Sequence, residues 1–160
     1  MGTDKYLEVL QKLRGSSALI VGIGNSLKGD DGAGPAACER LKNSRISAEV
    51  IDTATAPENY IQKIIRKAPQ NLLVVDAVDF GAQAGEIKIF EPEQLSSHIL
   101  STHTLSPRIF IEMITKSIKT DVYFIGIQPA HTEFGKSFSE QVEEAVEKLC
   151  RTLAEIFPPK

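Results

Sequence analysis

The sequence is poor in cysteine, in long apolar runs and in charge of one sign. Its two cysteines, Cys38 and Cys150, lie far apart and in predicted helices. A disulfide framework or a cysteine zinc site is therefore not expected, and we predict two buried thiols in a reduced cytoplasm. No apolar run approaches the roughly 18 residues that a membrane-spanning helix needs. The net charge of −3, without a dominant basic patch, argues against a nucleic-acid partner.

The 160 residues predict a single domain over 1–160 in which strands and helices alternate. The strand-like runs are 18–23, 48–52, 71–79, 85–90 and 121–127. Alternation of this kind predicts an α/β fold with a mainly parallel sheet. Residues 80–84 are too few for a parallel crossover, which takes about a dozen or more. We therefore expect the run 85–90 to pair antiparallel, at an edge of the sheet.

Helix signals accompany these strands. The predicted helices cover about 3–14, a segment from near Pro35, one from Pro57, 107–119 with Ser106 as N-cap, and a C-terminal helix that ends before Pro158. Ser137 and Glu140 have the spacing of a capping box for that last helix. Its buried face is predicted to consist of Val142, Ala145, Val146, Leu149, Leu153 and Ile156.

A glycine-rich loop, GIGNSLKGDDGAG, follows the first strand. It resembles a nucleotide site only in part. Leu27 stands where the dinucleotide fingerprint has its third glycine, although Asp52 at the end of the second strand mimics the ribose-binding acid. Asp30 and Asp31 stand where a P-loop has Lys and Ser or Thr, and two carboxylates would repel phosphate. A nucleotide-binding oxidoreductase domain therefore stays open as an alternative, and a P-loop is excluded.

The same two aspartates also fit a structural role, because acids stabilise the first turn of a helix. Gly24 and Gly29 would permit the tight turn, and Asn25 and Asp30 would shape it. In open α/β sheets, however, ligands bind beyond the carboxyl ends of the strands. A pair of acids at that edge makes a cation site a competing interpretation.

Further candidate ligands follow other strands. Asp76 ends the apolar run LLVV, and His103 precedes the helix predicted at 107. Two carboxylates and an imidazole, from Asp31, Asp76 and His103, would suit a divalent transition metal such as nickel or zinc and leave coordination positions open. Asp79 is interpreted as structural, and His98 and His131 as surface residues.

Two kinds of peptidase site are disfavoured by the sequence. It has no G-x-S-x-G elbow, and Ser26 in the glycine-rich loop has no evident base. A Cys–His pair would need Cys38 or Cys150 at the rim of the sheet, which their helical context disfavours.

Taken together, the motifs resemble the NiFe-hydrogenase maturation endopeptidases, and most closely the branch that processes the hydrogenase 3 large subunit. The motifs, in chain order, are ALIVGIGNSLKGDDGAGP, IDTATAPEN, LLVVDAVDFG with AGEIKIF, THTLSP and FIGIQP. The resemblance runs from about residue 18 to the C-terminal helix. It implies a three-layer α/β/α fold with a five-stranded sheet between two layers of helices.

The resemblance also implies an activity and a substrate. It implies a monomeric cytoplasmic endopeptidase that removes a short C-terminal extension from the hydrogenase large-subunit precursor after nickel insertion. Asp31, Asp76 and His103 would contact a nickel ion that the substrate supplies, with zinc or cadmium able to substitute in vitro. A non-catalytic nickel-sensing maturation chaperone is a second alternative. One departure from the family pattern follows Asp52, where Thr53-Ala54-Thr55 replaces the usual glycines.

Overall fold

The computed structural model describes residues 5–96 and 105–160. The helices are α1 (Lys5–Gln11), α2 (Ala33–Asn43), α3 (Ile61–Lys67), α4 (Pro107–Thr115) and α5 (Glu140–Ile156). The strands are β1 (Ala18–Gly22), β2 (Glu49–Asp52), β3 (Asn71–Ala77), β4 (Ile87–Phe90) and β5 (Asp121–Ile127). Short 3₁₀ turns cover Gly29–Gly32, Pro57–Tyr60 and Pro92–Ser96. Among these described residues, none of the helices has the length and apolar character to cross a bilayer.

The five strands form one mixed sheet in the order β2-β1-β3-β5-β4. Pairing is parallel from β2 through β5, and β4 pairs antiparallel with β5 at the edge. Gly22 lies opposite both Asp52 and Val75, and Asp76 lies opposite Gly126. The predicted α/β fold with its antiparallel edge strand is confirmed, including the expectation drawn from the short connection 80–84.

Helices cover both faces of this sheet, because the buried residues of each strand alternate between two cores. One core joins α1, α2 and α5 to residues such as Ile20, Leu73 and Ile125. The other joins α3 and α4 to residues such as Val74 and Phe124. The three-layer α/β/α arrangement is therefore confirmed, and the predicted inner face of α5 lies in the first core.

Helix α2 sits close to the carboxyl ends of the two central strands. A Cβ atom at Gly34 would lie 2.3 Å from the carbonyl oxygen of Ile23 and 2.6 Å from that of Val75. No larger residue fits at this distance, so Gly34 lets the start of α2 rest directly on β1 and β3. The 3₁₀ turn before α2 is thereby held against β3.

Local signals located some helix ends correctly and others not. Ser106 caps α4 as predicted, since its hydroxyl accepts a hydrogen bond from the Ile109 amide at 3.2 Å. The predicted N-cap of α5 was wrong. Ser139, and not Ser137, caps it by accepting from the Val142 amide at 3.3 Å. Ser139 has a tertiary partner that sequence spacing cannot reveal.

Three boundaries also differ from the predictions. Helix α2 begins at Ala33, before Pro35, because a 3₁₀ turn leads into it and Pro35 fits within its first turn. Helix α4 ends at Thr115, earlier than 119. Helix α1, described from Lys5, ends at Gln11 although the prediction ran to 14.

Both cysteines are buried free thiols, as predicted. Cys38 lies on α2 and Cys150 on α5, and their Sγ atoms contact the carbonyl oxygens of Ile51 and Ala37 at 3.6 Å. Burial raises the pKa of the Cys38 thiol to about 12 and that of the Cys150 thiol to about 11. Neither thiol is poised to act as a nucleophile.

Candidate functional site

Asp76 lies at the carboxyl end of β3, in the middle of the sheet, and is 0% exposed. It is flanked by β5 on one side, where Gly126 is its register partner, and by the end of β1 on the other. Its position in the pleat is that of Leu72 and Val74, which belong to the core under α3 and α4. A carboxylate is thus held at the carboxyl ends of the parallel strands, where ligands of α/β proteins bind.

Asp31 approaches the same edge from the glycine-rich loop after β1. It lies in the 3₁₀ turn Gly29–Gly32, is 3% exposed, and accepts a hydrogen bond from the Asn25 amide at 3.0 Å. The Asn25 side chain in turn accepts from the Leu27 amide at 2.9 Å. The predicted shaping role of Asn25 is confirmed, since the residue closes the loop on itself and binds the Asp31 carboxylate.

Gly24 and Gly29 permit this turn, as the sequence predicted. A Cβ atom at Gly24 would lie only 2.0 Å from the carbonyl oxygen of Asp31. Gly29 has φ +54°, in the left-handed region that side chains disfavour. The two glycines therefore determine how closely the Asp31 backbone can fold back over the end of β1.

Asp30 is turned away from solvent and anchors the loop to the segment after β5. Its carboxylate accepts hydrogen bonds from the Ala130 amide at 2.8 Å, the His131 amide at 3.3 Å and both the amide and hydroxyl of Ser139 at 2.8 Å. Burial alone would raise the pKa of this carboxyl, but the hydrogen bonds outweigh it and hold the pKa below the ordinary aspartate value. Asp30 is a buried structural anion, which confirms its predicted role in shaping the loop.

His131 is more enclosed than predicted. Its backbone carbonyl accepts a hydrogen bond from the Asp30 amide at 3.0 Å, its ring packs against Gly29, and the residue is half-buried. The assignment of His131 to the surface was therefore wrong. The loop contact that encloses it joins Asp30 to His131, 101 positions apart, so no local pattern predicts it.

Two of the predicted positions, His98 and His103, lie outside the described residues. The described part of the chain resumes at Leu105, which packs against the core under α3 and α4. Asp76 lies on the same face of the sheet, because side chains alternate along β3. Within 5–96 and 105–160, no three His, Cys, Asp or Glu side chains form a group that could hold a metal ion. The described part of the chain thus supplies two candidate ligands, and His103 stays a prediction.

The other acids at this edge have structural partners. The Asp79 carboxylate accepts from the Gly81 amide and the Gln128 side chain, both at 3.1 Å, and these bonds lower its pKa. This agrees with its structural interpretation. Asp52 accepts from the Ala54 amide at 2.8 Å, and Ala54 has φ +50°, at a position where the family pattern has glycine.

A cavity of about 450 Å³ opens next to the glycine-rich loop, bordered by Ser26, Asp52 and Phe138 among others. A larger groove, of about 780 Å³, runs along the edge strand β4 between α1 and α4. Neither Asp31 nor Asp76 lines either of these two openings. The smaller cavity is the one adjacent to the loop that carries Asp31.

The segment after β5 is the part of this site that sequence reasoning undervalued. The sequence analysis did not identify the three amides and the hydroxyl that bind Asp30. The segment between Ile127 and α5 contains many polar residues and is longer than the loops that follow β1 and β3. This length is the signal in the sequence that points to the segment. Chemically, two buried carboxylates, one in the loop after β1 and one near the end of β3, suit a hard or borderline cation better than an anion.

Comparison with known proteins places the chain in a family. Residues 35–156 match the family model described as HycI, hydrogenase maturation protease. The hydrogenase 3 maturation protease of Escherichia coli strain K12 is 35% identical over 137 residues, which cover 84% of this chain and 87% of that protein.

Solved structures agree in fold as well. The crystal structure of a [NiFe] hydrogenase maturation protease HycI from Thermococcus kodakarensis KOD1 has a TM-score of 0.84 and 35% identity, covering 92% of this chain and 97% of that one. The solution structure of an endopeptidase HycI from Escherichia coli has a TM-score of 0.80 and 34% identity, covering 87% and 90%. The chain therefore belongs to the hydrogenase maturation protease family.

Proposed function

We propose that this protease removes a short C-terminal extension from the large-subunit precursor of a NiFe hydrogenase after nickel has been inserted. The supporting observation is the pair of buried carboxylates, Asp31 and Asp76, brought to one edge of the sheet by two different chain segments. In this proposal the nickel belongs to the substrate. The protease contributes ligands that complete the coordination of a metal already held by the precursor.

The choice of metal follows from the donor set. Asp31 and Asp76 supply carboxylate oxygens, and His103 would supply an imidazole, a combination that accepts nickel, zinc or cadmium. Because the metal is divalent, it would also offset the cost of holding two carboxylates away from water. A precursor without metal would leave that cost uncompensated, which gives the protease a physical means to reject it.

Three routes to peptide cleavage are compatible with this site. The metal could polarise the scissile carbonyl or activate a water molecule. A carboxylate could act as general base. The contacts could also serve only to hold the scissile peptide in place, supplying proximity. An aspartate that is fully engaged as a ligand is not free to accept a proton, so we assign no general base.

The test is intact mass spectrometry of the precursor after incubation with this protein, with and without prior nickel loading. Loss of a C-terminal fragment from the nickel-loaded form alone is the expected result. Binding without a change in mass would replace the proposal with a nickel-sensing chaperone. Cleavage of both forms at equal rates would refute nickel recognition.

Substitutions test which residues contact the metal. Asp31→Asn, Asp76→Asn and His103→Gln are each expected to lower kcat/KM for the nickel-loaded precursor by at least about a hundredfold. The matched control is Asp79→Asn, which removes a charge three residues from Asp76 at an exposed position with structural partners. If Asp79→Asn loses as much activity as Asp76→Asn, the effect comes from net charge and the proposed ligand set is wrong.

A further inference from the structure

Two exposed apolar side chains belong to the glycine-rich loop and to the loop that follows β5. Leu27 is 70% exposed and Phe134 is 68% exposed. Among the described residues, only Ile109 and Met113 on α4 are other large hydrophobic side chains with comparable exposure. Single exposed side chains of this kind are common. Here one of the two lies in the glycine-rich loop itself and the other in the loop after β5.

Leu27 and Phe134 are joined by contacts between their two loops. The Leu27 carbonyl accepts a hydrogen bond from the Gly135 amide at 3.0 Å. The Lys28 ammonium lies 5.4 Å from the centre of the Phe134 ring, within cation–π range. We call Leu27 and Phe134 the rim patch. Its two loops are held together before any partner arrives, which reduces the entropy cost of binding.

The rim patch is also tied to Asp31. Leu27 is four residues from Asp31, so their Cα atoms are at most about 14 Å apart. The link is rigid, because the Leu27 amide binds the Asn25 side chain and the Asn25 amide binds the Asp31 carboxylate. A partner that brings a metal to Asp31 therefore comes within about 14 Å of Leu27.

The size of a typical interface decides whether such a partner would cover the patch. A stable protein interface buries about 800 Å² on each partner, equivalent to a disc of about 16 Å radius. An interface centred on Asp31 would then reach Leu27, whose Cα atom lies within about 14 Å. Phe134 belongs to the loop that binds the Leu27 carbonyl, so such an interface would extend to it. Asp31 is nearly buried, so the substrate must also press against the residues that surround its entrance.

We propose that the rim patch is a docking surface for the hydrogenase large-subunit precursor, which seats an apolar segment on Leu27 and Phe134. This inference rests on the proposed function, because it takes the precursor as the protein that reaches Asp31. It assigns Leu27 and Phe134 a role in substrate binding and none in the chemical step. Aromatic side chains are enriched in protein interfaces, which fits Phe134 as the anchor.

The test compares Leu27→Ser and Phe134→Ser with the wild-type protein on the nickel-loaded precursor. Each substitution is expected to weaken precursor binding about tenfold or more, with KM raised and kcat little changed. Because the contact is apolar, the difference should persist in about 1 M salt, where charge attraction is screened. Phe134→Leu keeps an apolar side chain and should restore much of the affinity.

Met113→Ser is the matched control, since Met113 is 47% exposed on α4 and outside the rim patch. It should bind and cleave like the wild type. All variants are at exposed positions and should unfold at the wild-type temperature. Wild-type KM and affinity in both Leu27→Ser and Phe134→Ser would overturn the docking surface.

The outcomes separate this inference from the proposed function. Normal cleavage by every variant refutes the docking surface and leaves the protease function standing. If the wild type binds the precursor without cutting it, the protease proposal fails, and the dissociation constants of the variants still decide the docking surface. If the wild type neither binds nor cuts, both are overturned.

Discussion

Asp30 and Ser139 are joined by two hydrogen bonds of 2.8 Å, one from the Ser139 amide and one from its hydroxyl. The same hydroxyl accepts a hydrogen bond from the Val142 amide and so caps helix α5. One side chain therefore starts the last helix and fastens the loop that carries Asp31. Ser139 thus links the glycine-rich loop directly to the start of helix α5.

Asp30→Asn should destabilise the protein. An amide in this position would turn N–H groups toward the donors of Ala130, His131 and Ser139, where only acceptors fit. We expect a loss of about 3 kcal/mol in the free energy of unfolding, measured by urea denaturation. Asp79→Asn, at an exposed carboxylate, should lose much less, and an equal loss in both would contradict the buried-anchor interpretation.

The acid stability of the protein should depend on Asp30. Since hydrogen bonds lower its folded pKa, the stabilisation is complete above the ordinary aspartate pKa and is lost as the pH falls through the folded value. The free energy of unfolding should therefore drop more steeply from about pH 5 to pH 2.5 in the wild type than in Asp30→Asn. Parallel curves from urea titrations across this range would refute the assignment.

Gly24→Ala should displace Asp31. The new Cβ atom would lie 2.0 Å from the Asp31 carbonyl oxygen, so the loop must move. We expect loss of precursor cleavage by at least about a hundredfold, with helix content by circular dichroism retained. Ser26→Ala, in the same loop at an exposed position, should stay active, and inactivity of this control would revive Ser26 as a nucleophile.

Ala68→Gly should stabilise the protein. Ala68 ends α3 in the left-handed conformation, with φ 43° and ψ 58°, which strains any residue with a side chain. The expected gain is about 1 kcal/mol. Ala36→Gly, within the right-handed helix α2, should instead lose about 1 kcal/mol. Thermal melts of both variants check the pair, and a destabilised Ala68→Gly would contradict the prediction.

The two thiols should resist alkylation in the folded protein. Burial raises the pKa of Cys38 to about 12 and of Cys150 to about 11, so few thiolates form at pH 8. Intact mass after iodoacetamide treatment should show no adducts in native buffer and two in denaturant. A rapid single adduct on the native protein would show that one thiol is accessible.

The sequence predicted the layers of this fold well because its signals are local or topological. Residues 80–84 are too short for a crossover, and that alone placed β4 antiparallel at the edge. Asp76 was singled out because it follows four apolar residues near the end of a predicted strand, and the structure places it buried in β3. The buried face of α5 was equally predictable, because its apolar residues recur with the helical period.

Long-range contacts account for what the sequence analysis missed. Ser137 has the spacing of a cap, yet Ser139 fills the role because Asp30 orients its hydroxyl. His131 has no local feature that predicts its packing on Gly29. Both depend on the loop after β5 meeting the loop after β1, a contact that neither periodicity nor propensity encodes.

The distance along the chain between Asp30 and its donors has a consequence for protein synthesis. The four hydrogen bonds join residues that are 100 to 109 positions apart. While the ribosome has yet to release the last strand and helix, the Asp30 carboxylate has none of these partners, and the Asp31 loop has no anchor. The nascent chain therefore cannot assemble this site before the ribosome has released the residues up to Ser139.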